Sequence, residues 1–170
     1  MALKPQQPVP ALDLPLVIDT RFDLAEQRPR AFTMLVFYRG LHCPVCKGYL
    51  QELNEKIGQF RDLGVTAVAV STDTEDNAKT AWKVWNLGDL PIAYGLPIAQ
   101  ARDWGLYISK GIKEDEPERF SEPGLFLVKP DGMLYAASVN SMPFSRPHFD
   151  DVATAIGFVT DKGYPARGEA

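Results

Sequence analysis

The sequence predicts an α/β fold, a mixed central sheet with helices on both faces. Two short runs, Ala31–Tyr38 and Val65–Val70, are nearly all apolar, as expected of strands buried on both faces. Between them Cys46, Leu50, Leu53, Ile57 and Phe60 recur at helical spacing along one face. Strand, helix and strand make a crossover unit, expected to be right-handed. A chain of 170 residues is expected to form one domain, 1–170, around one core.

The remaining elements follow in order. Residues 1–12 carry Pro5, Pro8 and Pro10 and read as an extended surface segment. Leu12–Ile18 suits a strand, Asp19-Thr20 a turn, and Phe22 and Leu24 return to apolar character. After the first helix, Gly64 is placed to end it. Thr72 with Glu75 has the spacing of a capping box. Ala78, Ala81, Trp82 and Trp85 then mark a second helix that ends at Gly88. Ile98, Ala101 and Trp104 predict a short helix. Residues 110–122 read as a solvated, charged loop. Gly124–Val128 and Met133–Ser138 are strands joined by Lys129-Pro130-Asp131-Gly132, a type I turn by its proline and glycine. Ser145 is placed to cap a last helix with Pro147 in its first turn and Phe149, Val152, Ile156 and Val159 inward. The tail from Gly163 is expected to fray.

Composition narrows the function classes. The net charge is −4, and no basic patch suggests nucleic acid. No apolar run approaches a membrane span, and the N-terminus lacks the apolar core of a signal peptide. The cytosol is therefore the expected compartment, where stable structural disulfides are disfavoured. The chain has two cysteines, and a disulfide between positions three apart would close too small a loop to staple the fold.

Those two cysteines lie in Phe37-Tyr38-Arg39-Gly40-Leu41-His42-Cys43-Pro44-Val45-Cys46, where a strand gives way to a helix. Proline is favoured at the first helical position, which makes Cys43 the N-cap. Its sulfur would accept from the N–H of Val45 or Cys46 and meet the positive end of the helix. Both effects favour a thiolate, so Cys43 is expected to be the exposed nucleophile with a lowered pKa. Cys46, three residues on and facing the core, would resolve the product. Other readings are two structural thiols, half of a metal site that has only His42 and His148 for further imidazoles, and a domain that has lost activity. A binding module holding metal on the pair is the rival from another class. Pro123 is the second feature. It opens a strand, where a proline needs no ladder donor, and base rates favour a trans bond before it.

Together, Phe37-Tyr38…Cys43-Pro44-Val45-Cys46 and Pro123-Gly124-Leu125-Phe126-Leu127-Val128 resemble the thioredoxin superfamily. The closer similarity, across nearly the whole chain, is to the peroxiredoxin-like alkyl hydroperoxide reductase/thiol-specific antioxidant family. The resemblance implies a thioredoxin-like fold, with an N-terminal hairpin beginning at Val9–Leu14 and an inserted strand and helix within Trp85–Gly105. It implies a cis Glu122–Pro123 bond shaping a substrate groove. It also implies an antioxidant oxidoreductase that cycles Cys43/Cys46 between dithiol and disulfide. The electron acceptor would be a peroxide or a protein disulfide, and the donor an external thiol of thioredoxin or glutathione type. No cofactor or metal is implied, and homodimers are common in the family.

The sequence departs from the family pattern in two places. A Thr or Ser is usual three residues before the peroxidatic cysteine, and counted from Cys43 that position is Gly40. An arginine is usual near the place of Pro123. Arg39 or Arg119 are candidates to replace its charge. His42 either supports the Cys43 thiolate or lies on the surface, and Tyr38 is expected to serve the core first and the site second.

Overall fold

The computed structural model describes residues 3–170. In chain order its elements are β1 (Asp13–Pro15), β2 (Arg21–Asp23), β3 (Phe32–Phe37), α1 (Pro44–Asp62), β4 (Val65–Val70), α2 (Glu75–Val84), β5 (Ile92–Ala93), α3 (Ile98–Asp103), β6 (Ile108–Lys110), β7 (Arg119–Ser121), β8 (Gly124–Val128), β9 (Leu134–Val139) and α4 (Phe149–Lys162). The main sheet runs β5-β4-β3-β8-β9. β3 is parallel to β4 and antiparallel to β8, which makes the sheet mixed.

β3 lies at the centre because every one of its residues is buried. Its side chains alternate between two cores. Met34 and Val36 face Leu50, Leu53 and Phe60 of α1 and Phe149 and Ile156 of α4. Leu35 and Phe37 face the other way, toward Leu12, Leu14 and Phe22 of the N-terminal hairpin and Trp104 at the end of α3. The second face is closed by aromatic packing. Phe37 meets Phe126 edge-on with centroids 5.5 Å apart, and Trp104 meets Phe126 at 5.2 Å.

The N-terminal hairpin forms as expected, with Leu14 opposite Phe22, and the insertion contributes β5 and α3. Four expectations are corrected. Residues 110–122 are not all loop: β6 and β7 pair antiparallel, with Ser109 opposite Phe120. The second helix is capped by Thr74, which accepts from the N–H of Asn77, and not by Thr72. The helix starts later because the buried Asp73 carboxylate is turned away to accept from the Leu41 N–H at 2.8 Å. The last helix begins after His148, not Ser145. Ser145 has a left-handed φ of 58°, and Pro147 disfavours helical backbone at Arg146. The tail from Gly163 is packed: Ala166 is buried and its carbonyl accepts from Gln6.

Candidate active site

α1 starts where the sequence places it. Pro44 is its first residue, and Cys43 is the N-cap, with extended backbone and a sulfur that accepts from the Cys46 N–H at 3.2 Å. The approach to that cap is fixed from outside. Gly40 has φ 135°, and a Cβ there would sit 2.6 Å from Asp73 Oδ2. The glycine is therefore required by backbone and by space, which explains why no hydroxyl-bearing residue stands at position 40. The Asp73 carboxylate holds the next N–H, that of Leu41, and so sets the turn that delivers Cys43.

The two sulfurs differ from the sequence expectation. Cys43 is not exposed. It is 3% accessible and Cys46 is 0%, and both are free thiols. The cation of the site belongs to Cys46: Arg146 Nη2 donates to Cys46 Sγ at 2.7 Å. The neighbouring Cys46 sulfur, and then burial, push the Cys43 thiol up. Burial also opposes charge on Cys46, but the Cys43 thiol, the Arg146 guanidinium and the Arg39 main-chain N–H outweigh it and bring that thiol down to about 6. Two such close groups share one negative charge rather than carrying two, and the guanidinium favours it on Cys46. The helix cap favours charge on Cys43, and a guanidinium from 100 residues away favours it on Cys46.

Arg146 comes from the loop between β9 and α4. Asn140 braces that loop by donating to the carbonyls of Phe144 and Ser145. The guanidinium lies over the Tyr49 ring, 4.7 Å from its centroid. Its Nε and Nη1 are buried with no hydrogen-bond partner among the described residues. A groove of about 420 Å³ beside it is lined by Val45, Tyr49, Glu52, Phe144 and His148.

The other expected residues are found as follows. Pro123 lines a small crevice with Arg146, Tyr49 and Phe37, so it does lie at the site. Its bond to Glu122 is trans, because no cis peptide occurs among the described residues. The Glu122 N–H donates to the Tyr107 carbonyl and the Pro123 carbonyl accepts from the Asn140 N–H, so the chain runs extended from β7 into β8. Arg39 does not reach a sulfur with its side chain. It makes a bidentate pair with the buried Glu122 at 2.8 and 2.7 Å, a carboxylate that also accepts from Ser109 Oγ. Arg119 is exposed on β7. His42 is half-buried with its ring 4.6 Å from that of Phe120. Burial lowers its pKa below the usual imidazole value, which disfavours the charged form beside Cys43. Tyr38 is wholly buried, which raises its pKa; it is a core residue, meeting Trp85 edge-on.

Arg146 and Tyr49 are the site residues that sequence reasoning missed. Arg146 lies in a loop between Ser145 and Pro147 and reads as a surface arginine. Tyr49 sits three residues after Cys46, and only that i, i+3 spacing hints at it. Three residues before Cys46 stands Cys43, a thiol and not a hydroxyl, with its sulfur hydrogen-bonded to the helix start, and the arginine at the Cys46 sulfur is Arg146, from far beyond Pro123 in the chain. For the metal-binding rival, no group of three or more His, Cys, Asp or Glu side chains converges among the described residues. No helix among them is long and apolar enough to cross a membrane.

Residues 5–137 match the model of the AhpC/TSA family. The chain is 26% identical over 158 residues to peroxiredoxin TSA1-B of Candida albicans, an alignment covering 86% of this chain and 75% of that one. It is 27% identical over 155 residues to a mitochondrial thioredoxin-dependent peroxide reductase of Drosophila melanogaster, covering 85% of this chain and 62% of the relative. Among solved structures, AhpC of Enterococcus faecalis superposes with a TM-score of 0.76 at 20% identity, over 98% of this chain and 99% of the other.

Proposed function

The chain belongs to the AhpC/TSA family of thiol-dependent oxidoreductases, and from that premise we propose that it reduces peroxides through a thiolate on Cys46, with Cys43 as the resolving thiol. The observation that carries this reading is the 2.7 Å contact from Arg146 Nη2 to Cys46 Sγ. A guanidinium beside a sulfur favours its anion, the nucleophilic form. The same cation is placed to stabilise charge on oxygen as the O–O bond breaks.

The steps balance without a metal or a prosthetic group. The Cys46 thiolate attacks one peroxide oxygen, the O–O bond breaks, and the leaving oxygen takes a proton to depart as an alcohol, or as water from hydrogen peroxide. Cys46 is left as a sulfenic acid. The Cys43 thiol attacks that sulfur, a disulfide forms, and water leaves. Two equivalents of external thiol, of thioredoxin or glutathione type, restore the dithiol and are themselves oxidised. With Cys46 0% and Cys43 3% accessible, the two linked oxygen atoms of a peroxide are an acceptor small enough to reach the reduced pair. The reading treats 1–170 as one cytosolic domain, able to form homodimers as relatives in the family often do.

Rapid mixing of the reduced protein with hydrogen peroxide, an organic hydroperoxide and a disulfide substrate tests it. Cys46→Ser should abolish the fast peroxide reaction. Cys43→Ser should complete a single turnover and leave a sulfenic acid that a dimedone probe captures on Cys46. Fast peroxide consumption by Cys46→Ser would overturn the assignment.

A further inference from the structure

Arg146 is a part-buried residue with two shielded guanidinium nitrogens. The other guanidinium beside the cysteine pair, that of Arg39, is paired with Glu122. Arg146 has no carboxylate partner among the described residues. One of its nitrogens meets Cys46, and the other two are buried and unpaired. Something must hold it at that sulfur without neutralising it, because a carboxylate there would compete with the thiolate for the charge.

Resting on the Cys46 reading, we infer that Tyr49 is the positioning residue for Arg146: its ring face carries the guanidinium at the sulfur and its hydroxyl pins the loop that delivers it. The ring centroid is 4.7 Å from the guanidinium carbon, within cation–π range. The Tyr49 hydroxyl donates to the Pro147 carbonyl at 2.7 Å, one residue from Arg146. Phe149 fixes the opposite side of the assembly, its ring stacked on Tyr49 with centroids 4.3 Å apart. Tyr49 sits on α1 three residues after Cys46, on the same side of the helix, so one rigid element presents both the sulfur and the platform for its cation. A ring face attracts a cation through its quadrupole and carries no net charge. Burial raises the tyrosine's own pKa, which keeps it neutral. The guanidinium charge is thereby left for the sulfur.

The other titratable and charged groups around the pair are Cys43 at the N-cap, Tyr38 and Arg39 after β3, and Glu52 and His148 in the groove. Cys43 and Tyr38 are pushed up, which leaves Cys46 as the sulfur that titrates in the acid range. Replacing His148 by Gln in every protein compared keeps its imidazole out of the readout.

The test is the pH midpoint of the Cys46 thiolate, read by absorbance near the thiolate band and by alkylation rate. It is run on Tyr49→Phe, Tyr49→Leu, Tyr49→Met and proteins carrying ring-fluorinated phenylalanines at position 49. Fluorination keeps the shape of phenylalanine and weakens the attraction of its face for a cation. The midpoint should rise stepwise with fluorination, and by roughly one pH unit in Tyr49→Leu. Tyr49→Met guards against a leucine variant that fails to fold. Tyr49→Phe keeps the face and should shift least. Arg146→Gln is the reference. If it raises the midpoint while the fluorinated series and Tyr49→Met titrate with Tyr49→Phe, the role of Tyr49 is refuted and the Cys46 reading stands. If Arg146→Gln also leaves the midpoint in place, the Cys46 reading itself falls.

Discussion

Two guanidiniums flank the cysteine pair, and their surroundings are opposite. Arg39 is locked in a bidentate pair with Glu122, which is 1% exposed and also accepts from Ser109. Its charge is cancelled where it stands, and it joins the strand that leads into the site to the one that carries Pro123. Arg146 has a sulfur, an aromatic face and two empty donors. The first arrangement is what a fold uses to hold two segments together. The second keeps a charge in reserve for an anion. Proximity to a cysteine is therefore a poor guide to which cation acts on it, and the counter-ion decides.

Substitutions on the two sides should separate these roles. The largest effect is expected from Arg146→Gln. Loss of a preorganised donor of this kind slows a reaction by about 10²–10³-fold, and the deficit should be visible in stopped-flow single turnovers with hydrogen peroxide. The fold should persist, as judged by circular dichroism. Glu122→Gln should do the reverse. It leaves the part-buried Arg39 guanidinium without its counter-ion, at a cost of about 2 kcal/mol, read as a lower urea midpoint. Its single-turnover rate at neutral pH should stay far closer to the parent than that of Arg146→Gln. A rate loss in Glu122→Gln as large as in Arg146→Gln would erase the distinction between the two arginines.

Gly40→Ala tests the approach to the cap. The left-handed φ and the Asp73 contact at 2.6 Å should destabilise the protein by about 2 kcal/mol, measured as a fall in Tm. The smallest effect is the pH response of the parent. Its peroxide rate should be flat near pH 8 and fall to half near pH 6, because the thiolate is the reactive form and Cys46 is held down to about 6. A midpoint in the ordinary thiol range, near ~8.5, would mean that Arg146 does not act on Cys46.

What the sequence makes legible is local. α1 could be placed to the residue at its start because Pro44 and Cys43 are adjacent signals, and β3 because the run Ala31–Tyr38 is short and nearly all apolar. β6 and β7 were hidden. Each has three residues, and they pair across a charged segment whose composition is that of a loop. The site was half legible for the same reason. Cys43, Cys46, Pro123 and Arg39 do gather near the start of α1. Which sulfur carries the charge depends on Arg146, and nothing near position 146 distinguishes that arginine from a solvated one. The cis bond expected before Pro123 came from resemblance to thioredoxins, whereas here Glu122 is held in extended chain by Tyr107 and Asn140 takes the Pro123 carbonyl.

The Asp73 carboxylate has a consequence for any attempt to move this motif. It comes from the connection between β4 and α2, yet it holds the Leu41 N–H and Asn77 Nδ2 and occupies the space beside Gly40. The ten residues from Phe37 to Cys46 are thus not a portable cassette. Grafted onto another scaffold of this topology, they would need an acidic residue at the end of the neighbouring strand. Without it, the loop would lose its anchor and the cysteines their approach to the helix.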